Sequence, residues 1–291
     1  MATREEAPLN SWAQQIWSVK YQRYIHCLSQ VEGKLAFLAM FHPQVFAIHE
    51  QRALSAVHAS HPLWNHPKFS EFGKSSTQGT LAIFESLGEL KRHPTVAGPG
   101  KDGQPLVFPF PYQGDFLLFL NDSSGVWCVN WSVKAEQSGF DVPFGDKSKN
   151  AKAIEKLKYR NLVEKLYYAE MNIPTFQLSA QSVDPTLLAN LRLLALEAKG
   201  APKVCERNFT SMVCQFEKAM TLGESPNSIA IAFCSKFRCT RQEMDTILAK
   251  AIVERRLRVD LFHKVQPDEP FSPERIDPVA KYANLFGGAR I

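Results

Sequence analysis

The sequence YQGDFLLFLNDSSGVWCVNWSVK at residues 112–134 predicts two apolar β-strands joined by a polar turn that contains glycine. Asp115 stands at the start of the first strand, and Lys134 stands at the end of the second. Ser132 precedes Lys134 by two residues and is expected on the same face, because strand side chains alternate with a period of two. A hairpin apolar enough to be buried therefore keeps an acid and a base at its rim.

The sequence on either side predicts the rest of a sheet and its helices. A helix is expected to begin after Ser29, with Glu32 completing a capping box, and to end before Pro43. The remaining predicted elements are a strand at 44–54, a short helix at 80–93, a loop at 94–105, an amphipathic helix at 151–171 and a strand at 172–179. This α-β-(α)-β-β-α-β order predicts a mixed α/β fold, in which helices flank a small mixed sheet.

The sequence after the predicted sheet is mainly helical. Four helical segments are expected, and the last two have the spacing of a helix-turn-helix unit with Thr240 as a cap. A strand after that unit would make it a winged helix. We therefore predict a catalytic domain at residues 1–180 that begins with a polar arm at 1–22, a winged-helix-like domain at 181–265 and an extended tail at 266–291.

Composition limits the possible classes of protein. Hydrophobic residues make up 45% of the 291 residues and charged residues 22%, which is typical of a globular protein. The net charge of +5 permits a polyanionic partner without requiring one. The six cysteines include no C-x-x-C pair, and no apolar run is long enough to cross a bilayer, so a cytoplasmic protein with reduced thiols is expected.

An acid on one strand followed by an x-lysine pattern on its neighbour is the arrangement of the PD-(D/E)xK nuclease site. Phosphodiester hydrolysis uses a hard cation such as Mg²⁺, which carboxylates hold and whose bound waters provide the nucleophile. Lysine stabilises the charge that develops on the phosphate. Glu32, on the helix before the first strand, is placed to supply a further carboxylate. The alternative is that Asp115 and Lys134 are simply the solvated ends of two strands.

Five short motifs, taken in order, resemble the TnsA family, the endonuclease subunits of heteromeric bacterial transposases. The likeness covers about residues 23–180. The motifs are Ser29-Gln30-Val31-Glu32, Ile48-His49-Glu50-Gln51, Gly114-Asp115-Phe116-Leu117, Ser132-Val133-Lys134 and Tyr168-Ala169-Glu170-Met171-Asn172-Ile173-Pro174.

The resemblance implies a restriction-endonuclease-like domain that cuts the 5′ strand at transposon ends, followed by a winged-helix-like domain. The implied partners are transposon-end DNA, an integrase-type transposase subunit (TnsB-like) and an AAA+ ATPase regulator (TnsC-like). Position by position, Glu32 and Asp115 match the acidic ligands of Mg²⁺ (or Mn²⁺), and Lys134 matches the catalytic lysine. A cytoplasmic, bacterial location follows from the same resemblance.

Ser132 departs from the family, which has glutamine or glutamate as a metal ligand at this position. Serine is neutral and a poorer ligand. Three readings remain open: Ser132 binds the metal through water, Asn130 or Glu136 on the same face replaces it, or the site is weakened. The last reading gives a second function, a DNA- and partner-binding subunit without full catalytic activity. A stand-alone restriction or repair nuclease is a third.

Basic residues in two places are candidates for DNA binding. Arg255, Arg256 and Arg258 lie at the end of the predicted recognition helix, where they would contact phosphates or form a solvated helix end. Lys147 and Lys149 precede the long helix beside the site, where they would line a DNA channel or form a charged surface.

Overall fold

The computed structural model describes residues 12–70, 75–99, 104–143, 150–200 and 204–288. These residues form two compact units, one from the 44–179 part of the chain and the other from the 12–43 and 180–288 parts. The sequence prediction placed all of residues 1–180 in one domain, whereas the compact units group residues 12–43 with the C-terminal part. The reason is that the helix in this segment packs against a helix that begins at Pro185.

Ten strands and eight α-helices are present in the described ranges. The strands are β1 (Gln14–Ser18), β2 (Arg23–Cys27), β3 (Val45–Glu50), β4 (Ala59–Ser60), β5 (Ser76–Thr77), β6 (Thr95–Pro99), β7 (Pro105–Pro109), β8 (Phe116–Asp122), β9 (Gly125–Val133) and β10 (Thr175–Leu178). The helices are α1 (Gln30–Phe41), α2 (Thr80–Ser86), α3 (Ala151–Ala169), α4 (Pro185–Ala198), α5 (Glu206–Leu222), α6 (Pro226–Phe237), α7 (Arg241–Val253) and α8 (Pro278–Lys281). No helix among these residues is both long and apolar enough to span a bilayer.

A four-stranded sheet in the order β10-β9-β8-β3 forms the centre of the first unit. Strand β10 runs parallel to β9, whereas β8 runs antiparallel to both β9 and β3. The two central strands are apolar and buried along nearly their whole length, as is usual for strands covered on both faces. The predicted mixed α/β fold, with a mixed sheet flanked by helices, is confirmed.

Helix α3 covers the face of β8 and β9 that carries the polar rim. Val163 and Tyr167 of the helix pack into one core with Leu117, Phe119 and Cys128 of the strands. Trp127 and Trp131 lie on the other face of β9 and are buried, as the alternation of side chains predicts.

The second unit contains helices α4 to α7, of which α6 and α7 are the two segments predicted as a helix-turn-helix pair. Thr240 caps α7 through a complete capping box with Glu243, so the predicted cap is confirmed. Residues 254–262 form no strand; the nearest feature is a single bridge between Val259 and Pro273. The strand proposed for a winged helix is therefore not formed there.

Two segments predicted to lack regular structure contain strands. Part of the predicted polar arm is β1, which pairs with β2 in a hairpin where Trp17 and Tyr24 make an edge-to-face contact at 5.1 Å. The predicted loop at 94–105 contains β6, which pairs with β7. Prolines at the ends of β6 and β7 obscured this hairpin, because proline is tolerated only at strand ends and edges.

The predicted extended tail also folds. Helix α8 and a following 3₁₀ turn over Ala283–Phe286 bury Leu285 and Phe286. Asp277 caps α8 by accepting a hydrogen bond from the N–H of Val279 at 2.8 Å.

Candidate active site

The strand register brings Asp115 and Ser132 to one end of the core face. Phe116 of β8 pairs with Trp131 of β9, so Asp115 lies opposite Ser132 one step further along. The apolar residues of this face end at Leu117, which pairs with Asn130. The face is therefore apolar in its middle and polar at the end where the sequence places the acid and the lysine.

Asp115 is fixed against the neighbouring strand. Its Oδ2 accepts a hydrogen bond from the N–H of Val133 at 2.6 Å. Its carbonyl accepts one from the N–H of Gln51, which follows β3. The Asp115 carboxylate is thus fixed by a hydrogen bond to β9, and the side chain is still 18% exposed to solvent.

Lys134 meets Asp115 at the rim. Its Nζ lies 3.9 Å from Oδ2 of Asp115 and 5.8 Å from the ring centre of Phe140. Its backbone N–H donates to Leu178 of β10, which fixes the end of the strand. The structure therefore brings Asp115, Ser132 and Lys134 together, as their order in the sequence predicts.

A second carboxylate, Glu164 of α3, joins this group and was not among the predicted site residues. It is buried, with 4% exposure. Its Oε1 accepts a hydrogen bond from Nδ2 of Asn130 at 2.9 Å, and its Oε2 accepts one from the hydroxyl of Ser132 at 3.3 Å. Burial, and next the negative charge of Asp115, raise the pKa of Glu164 above its ordinary range.

The sequence predicts an apolar stripe on α3 with lysines and glutamates covering the rest; the stripe consists of Ile154, Leu157, Leu162, Leu166 and Tyr167 or Tyr168. Both tyrosines are buried as expected, but Leu162 is 41% exposed and Glu164 is buried. The buried residues are Val163, Glu164, Tyr167 and Tyr168. The spacing of three and four residues from Glu164 to the two tyrosines is the signal that places it on the buried face.

The two suggested replacements for Ser132 have different surroundings. Asn130 is fully buried on the site face, and its Oδ1 accepts no hydrogen bond. Glu136 is exposed beyond the end of β9, at the start of a 3₁₀ turn. Asn130 is therefore the one of the two that belongs to the polar end of the sheet.

Glu32, the predicted upstream ligand, belongs to the second unit. It takes part in the cap of α1: its N–H donates to the hydroxyl of Ser29 at 3.1 Å, and its Oε1 accepts from the same hydroxyl at 2.9 Å. Its Oε2 also accepts from the N–H of Leu28 at 2.8 Å. A metal-binding role for Glu32 stays a prediction.

The three candidate arginines all make ion pairs within the second unit. Arg255 is 9% exposed and lies 2.8 Å from Asp277, Arg256 lies 2.8 Å from Glu206, and Arg258 lies 2.6 Å from Glu274. DNA contact by these residues stays a prediction, and their charges are partly compensated by these carboxylates. Lys147 and Lys149 lie outside the described residues.

The site provides two carboxylates, Asp115 and Glu164, and not a set of three metal-binding side chains. In the part of the chain that the structure describes, no set of three or more histidine, cysteine, aspartate and glutamate side chains forms a metal-binding cluster. Neither a protein-family model nor a curated protein matches the chain. A functional assignment therefore depends on the geometry around Asp115 and on the motifs of the sequence.

Proposed function

We propose that this chain is a metal-dependent DNA endonuclease of the TnsA type, which cuts the 5′ strand at transposon ends within a heteromeric transposase. The observation that carries the proposal is the convergence of Asp115, Ser132 and Lys134, with Asp115 Oδ2 3.9 Å from Lys134 Nζ. The order of strands and helices around them supports a restriction-endonuclease-like core. The helix-turn-helix spacing of α6 and α7 supports a DNA-binding second domain of the predicted winged-helix-like kind, although residues 254–262 form no wing strand.

The residues present fit a hard divalent cation. The polar end of the sheet supplies carboxylate oxygens, and Asn130 Oδ1 is buried without a hydrogen-bond donor. Oxygen ligands are those that Mg²⁺ and Mn²⁺ prefer. Asp115 would hold the ion at this end of the sheet, and the bound ion would lower the pKa of a water for attack on phosphate.

The protein side chains have separate tasks in this mechanism. Asp115 is held by the Val133 N–H, so its carboxylate is oriented before the substrate binds. Lys134 places an ammonium group beside Asp115, where it would stabilise the negative charge of the phosphate in the transition state. The proposed partners remain transposon-end DNA, a TnsB-like transposase and a TnsC-like ATPase.

A second candidate function is a DNA- and partner-binding subunit with weakened catalysis. The observation that favours it is that the Ser132 hydroxyl donates to Glu164. A serine committed in this way would contribute little to metal binding. Such a subunit would bind transposon ends but would not cut them.

Strand cutting on labelled transposon-end DNA tests the two functions. The full-length chain, its partner transposase and Mg²⁺ are incubated with the DNA, and cuts in the 5′ strand are measured. Asp115→Ala and Lys134→Ala should each reduce cutting by about 10²-fold or more. Asp141→Ala and Lys165→Ala, at exposed positions, are the matched controls. Unchanged cutting in both site variants would rule out this site, and binding without any cutting by the wild type would favour the second function.

A further inference from the structure

Glu164 is a buried carboxylate that the mechanism above does not use. It sits on α3 over the polar end of the sheet and is held by the side chains of Asn130 and Ser132. Burying an ionised carboxylate is costly unless cations or hydrogen-bond donors compensate it. Such a group at the rim of a sheet calls for an explanation beyond packing.

Glu164 and Asp115 place two carboxylates at the same end of the sheet, because Ser132, which donates to Glu164, lies opposite Asp115. The neighbouring cations have other contacts: Lys134 Nζ lies 3.9 Å from Asp115, and Arg160 donates to the carbonyl of Gln113. An additional positive charge between the two carboxylates would therefore be stabilised.

A second observation points to the same place. Oδ1 of Asn130 is buried and accepts no hydrogen bond. A Cβ atom built on Gly114 would lie 3.5 Å from Oε1 of Glu164, 3.6 Å from Oδ1 of Asn130 and 3.4 Å from the Tyr168 hydroxyl oxygen. Three oxygen atoms, two from α3 and one from β9, thus lie around the space beside Gly114, next to Asp115. Glycine has no side chain to occupy this space.

We propose that Glu164 is a ligand of a divalent cation, which it binds together with Asp115 and Oδ1 of Asn130. Two carboxylates and one amide oxygen form a donor set suited to Mg²⁺ or Mn²⁺. Ser132 has no negatively charged oxygen to offer a metal ion. Glu164 provides one, so this ligand comes from helix α3 and not from strand β9. The chemical use of the ion rests on the proposed nuclease function, whereas its binding can be measured without DNA.

The test is a titration of the full-length protein with Mn²⁺. The concentration of free Mn²⁺ at each step is measured by electron paramagnetic resonance. Wild-type protein should bind Mn²⁺ saturably, and Glu164→Gln should weaken binding by about tenfold or more, like the loss of any directly bound charged ligand. Glu155→Gln is the matched control on the same helix, because Glu155 is exposed and pairs only at the surface with Arg92. Wild-type affinity in Glu164→Gln, or no saturable binding by the wild type, would overturn the proposal.

A measurement on unaltered protein guards against a variant that fails to fold. Crystals of the wild type grown with Mn²⁺ should give an anomalous peak at about 2.0–2.6 Å from a Glu164 carboxylate oxygen. A peak at Asp115 that lacks Glu164 as a ligand would overturn the inference.

The inference and the nuclease function can fail separately. Mn²⁺ binding that requires Glu164, without strand cutting, would uphold the inference and reject the endonuclease. Cutting that requires Asp115 and Lys134, with normal Mn²⁺ affinity in Glu164→Gln, would do the reverse.

Discussion

The hydroxyl of Ser132 on strand β9 donates a hydrogen bond to Oε2 of Glu164 on helix α3 at 3.3 Å. Both residues are buried, at 3% and 4% exposure. A carboxylate from the helix thus lies directly against Ser132 of the strand. Because the two side chains are in direct contact, the effects of substituting them on the free energy of unfolding should not be additive.

Lengthening the side chain at position 132 should be tolerated only if position 164 is shortened. Ser132→Gln alone should lower the free energy of unfolding by about 1–3 kcal/mol, because the longer side chain overpacks the space below Glu164. Adding Glu164→Ala should recover part of this loss, with an interaction energy of about 1 kcal/mol or more. Urea unfolding of the two single variants and the double variant measures it. As a control, the effects of Glu155→Ala and Ser132→Gln on the free energy of unfolding should be additive. If the effects of Glu164→Ala and Ser132→Gln were also additive, the two side chains would not compete for the same space.

Glu164→Gln should make the protein more stable at pH 8 when divalent cations are removed by a chelator. The raised pKa means that the folded protein favours the neutral acid, so stability falls as pH rises from the ordinary glutamate pKa through the raised one. Glutamine is neutral at every pH, and its amide can accept from Asn130 and donate to Ser132. The expected gain is about 0.5–2 kcal/mol at pH 8, and it should disappear near pH 4. Thermal unfolding measures it.

The control for that gain is Glu155→Gln, which should leave stability nearly unchanged because surface pairs contribute little. A loss of stability in Glu164→Gln at pH 8 would mean that its two hydrogen bonds outweigh the cost of the buried charge.

The part of the site formed by local chain geometry was predictable. The period of two puts Ser132 and Lys134 on one face of β9, and the register of the hairpin places Asp115 opposite Ser132. Glu164 reaches the same face from 30 residues further on, and its place depends on the rotation of α3 about its axis. A helix rich in lysine, glutamate and leucine leaves this rotation ambiguous, since more than one stripe is apolar enough to be chosen.

The elements that were missed share a different cause. Strand β1 has only Ile16 as a fully buried aliphatic side chain, and its pairing with β2 is what makes it a strand. Leu285 and Phe286 are too few to predict a buried turn in a tail rich in proline and glycine. Short segments of this kind derive their structure from tertiary contacts, which single-sequence patterns do not contain.

Arg255→Met should destabilise the second unit far more than Arg258→Met. Arg255 is 9% exposed, pairs with Asp277 at 2.8 Å and lies 5.2 Å from the ring centre of Phe41. Its removal takes away the buried cation of the ion pairs with Asp277 and Glu274, which keep Arg258 as a partner, and should cost about 1–3 kcal/mol. Arg258 has a 53% exposed side chain although its pair with Glu274 is only 2.6 Å long, so its loss should cost about 0–1 kcal/mol. Chemical unfolding of both variants measures the difference, and equal losses would contradict a structural role specific to Arg255.

Lowering the pH from 7 to about 4.5 should destabilise the second unit through His42. This histidine is 3% exposed and packs on Phe286 with ring centres 4.0 Å apart. Burial, and then the charges of Lys20 and Arg255, lower its pKa to about 4, and the charge of Asp277 offsets only part of this effect. An unfolded histidine takes up its proton near pH 6.5, so between about pH 6.5 and 4 the unfolded chain binds more protons and stability falls as the pH falls.

The full effect is about 3.5 kcal/mol, because the pKa values of the unfolded and folded protein differ by about 2.5 and each pKa unit corresponds to about 1.4 kcal/mol. His42→Phe keeps an aromatic ring against Phe286 but cannot be protonated, so its stability should change much less over this range. His58→Gln, at an exposed histidine, should behave like the wild type. Urea unfolding at pH 7, 5.5 and 4.5 separates the three proteins. A His42→Phe variant that loses as much stability as the wild type would show that other groups, such as the carboxylates around Arg255, dominate the acid response.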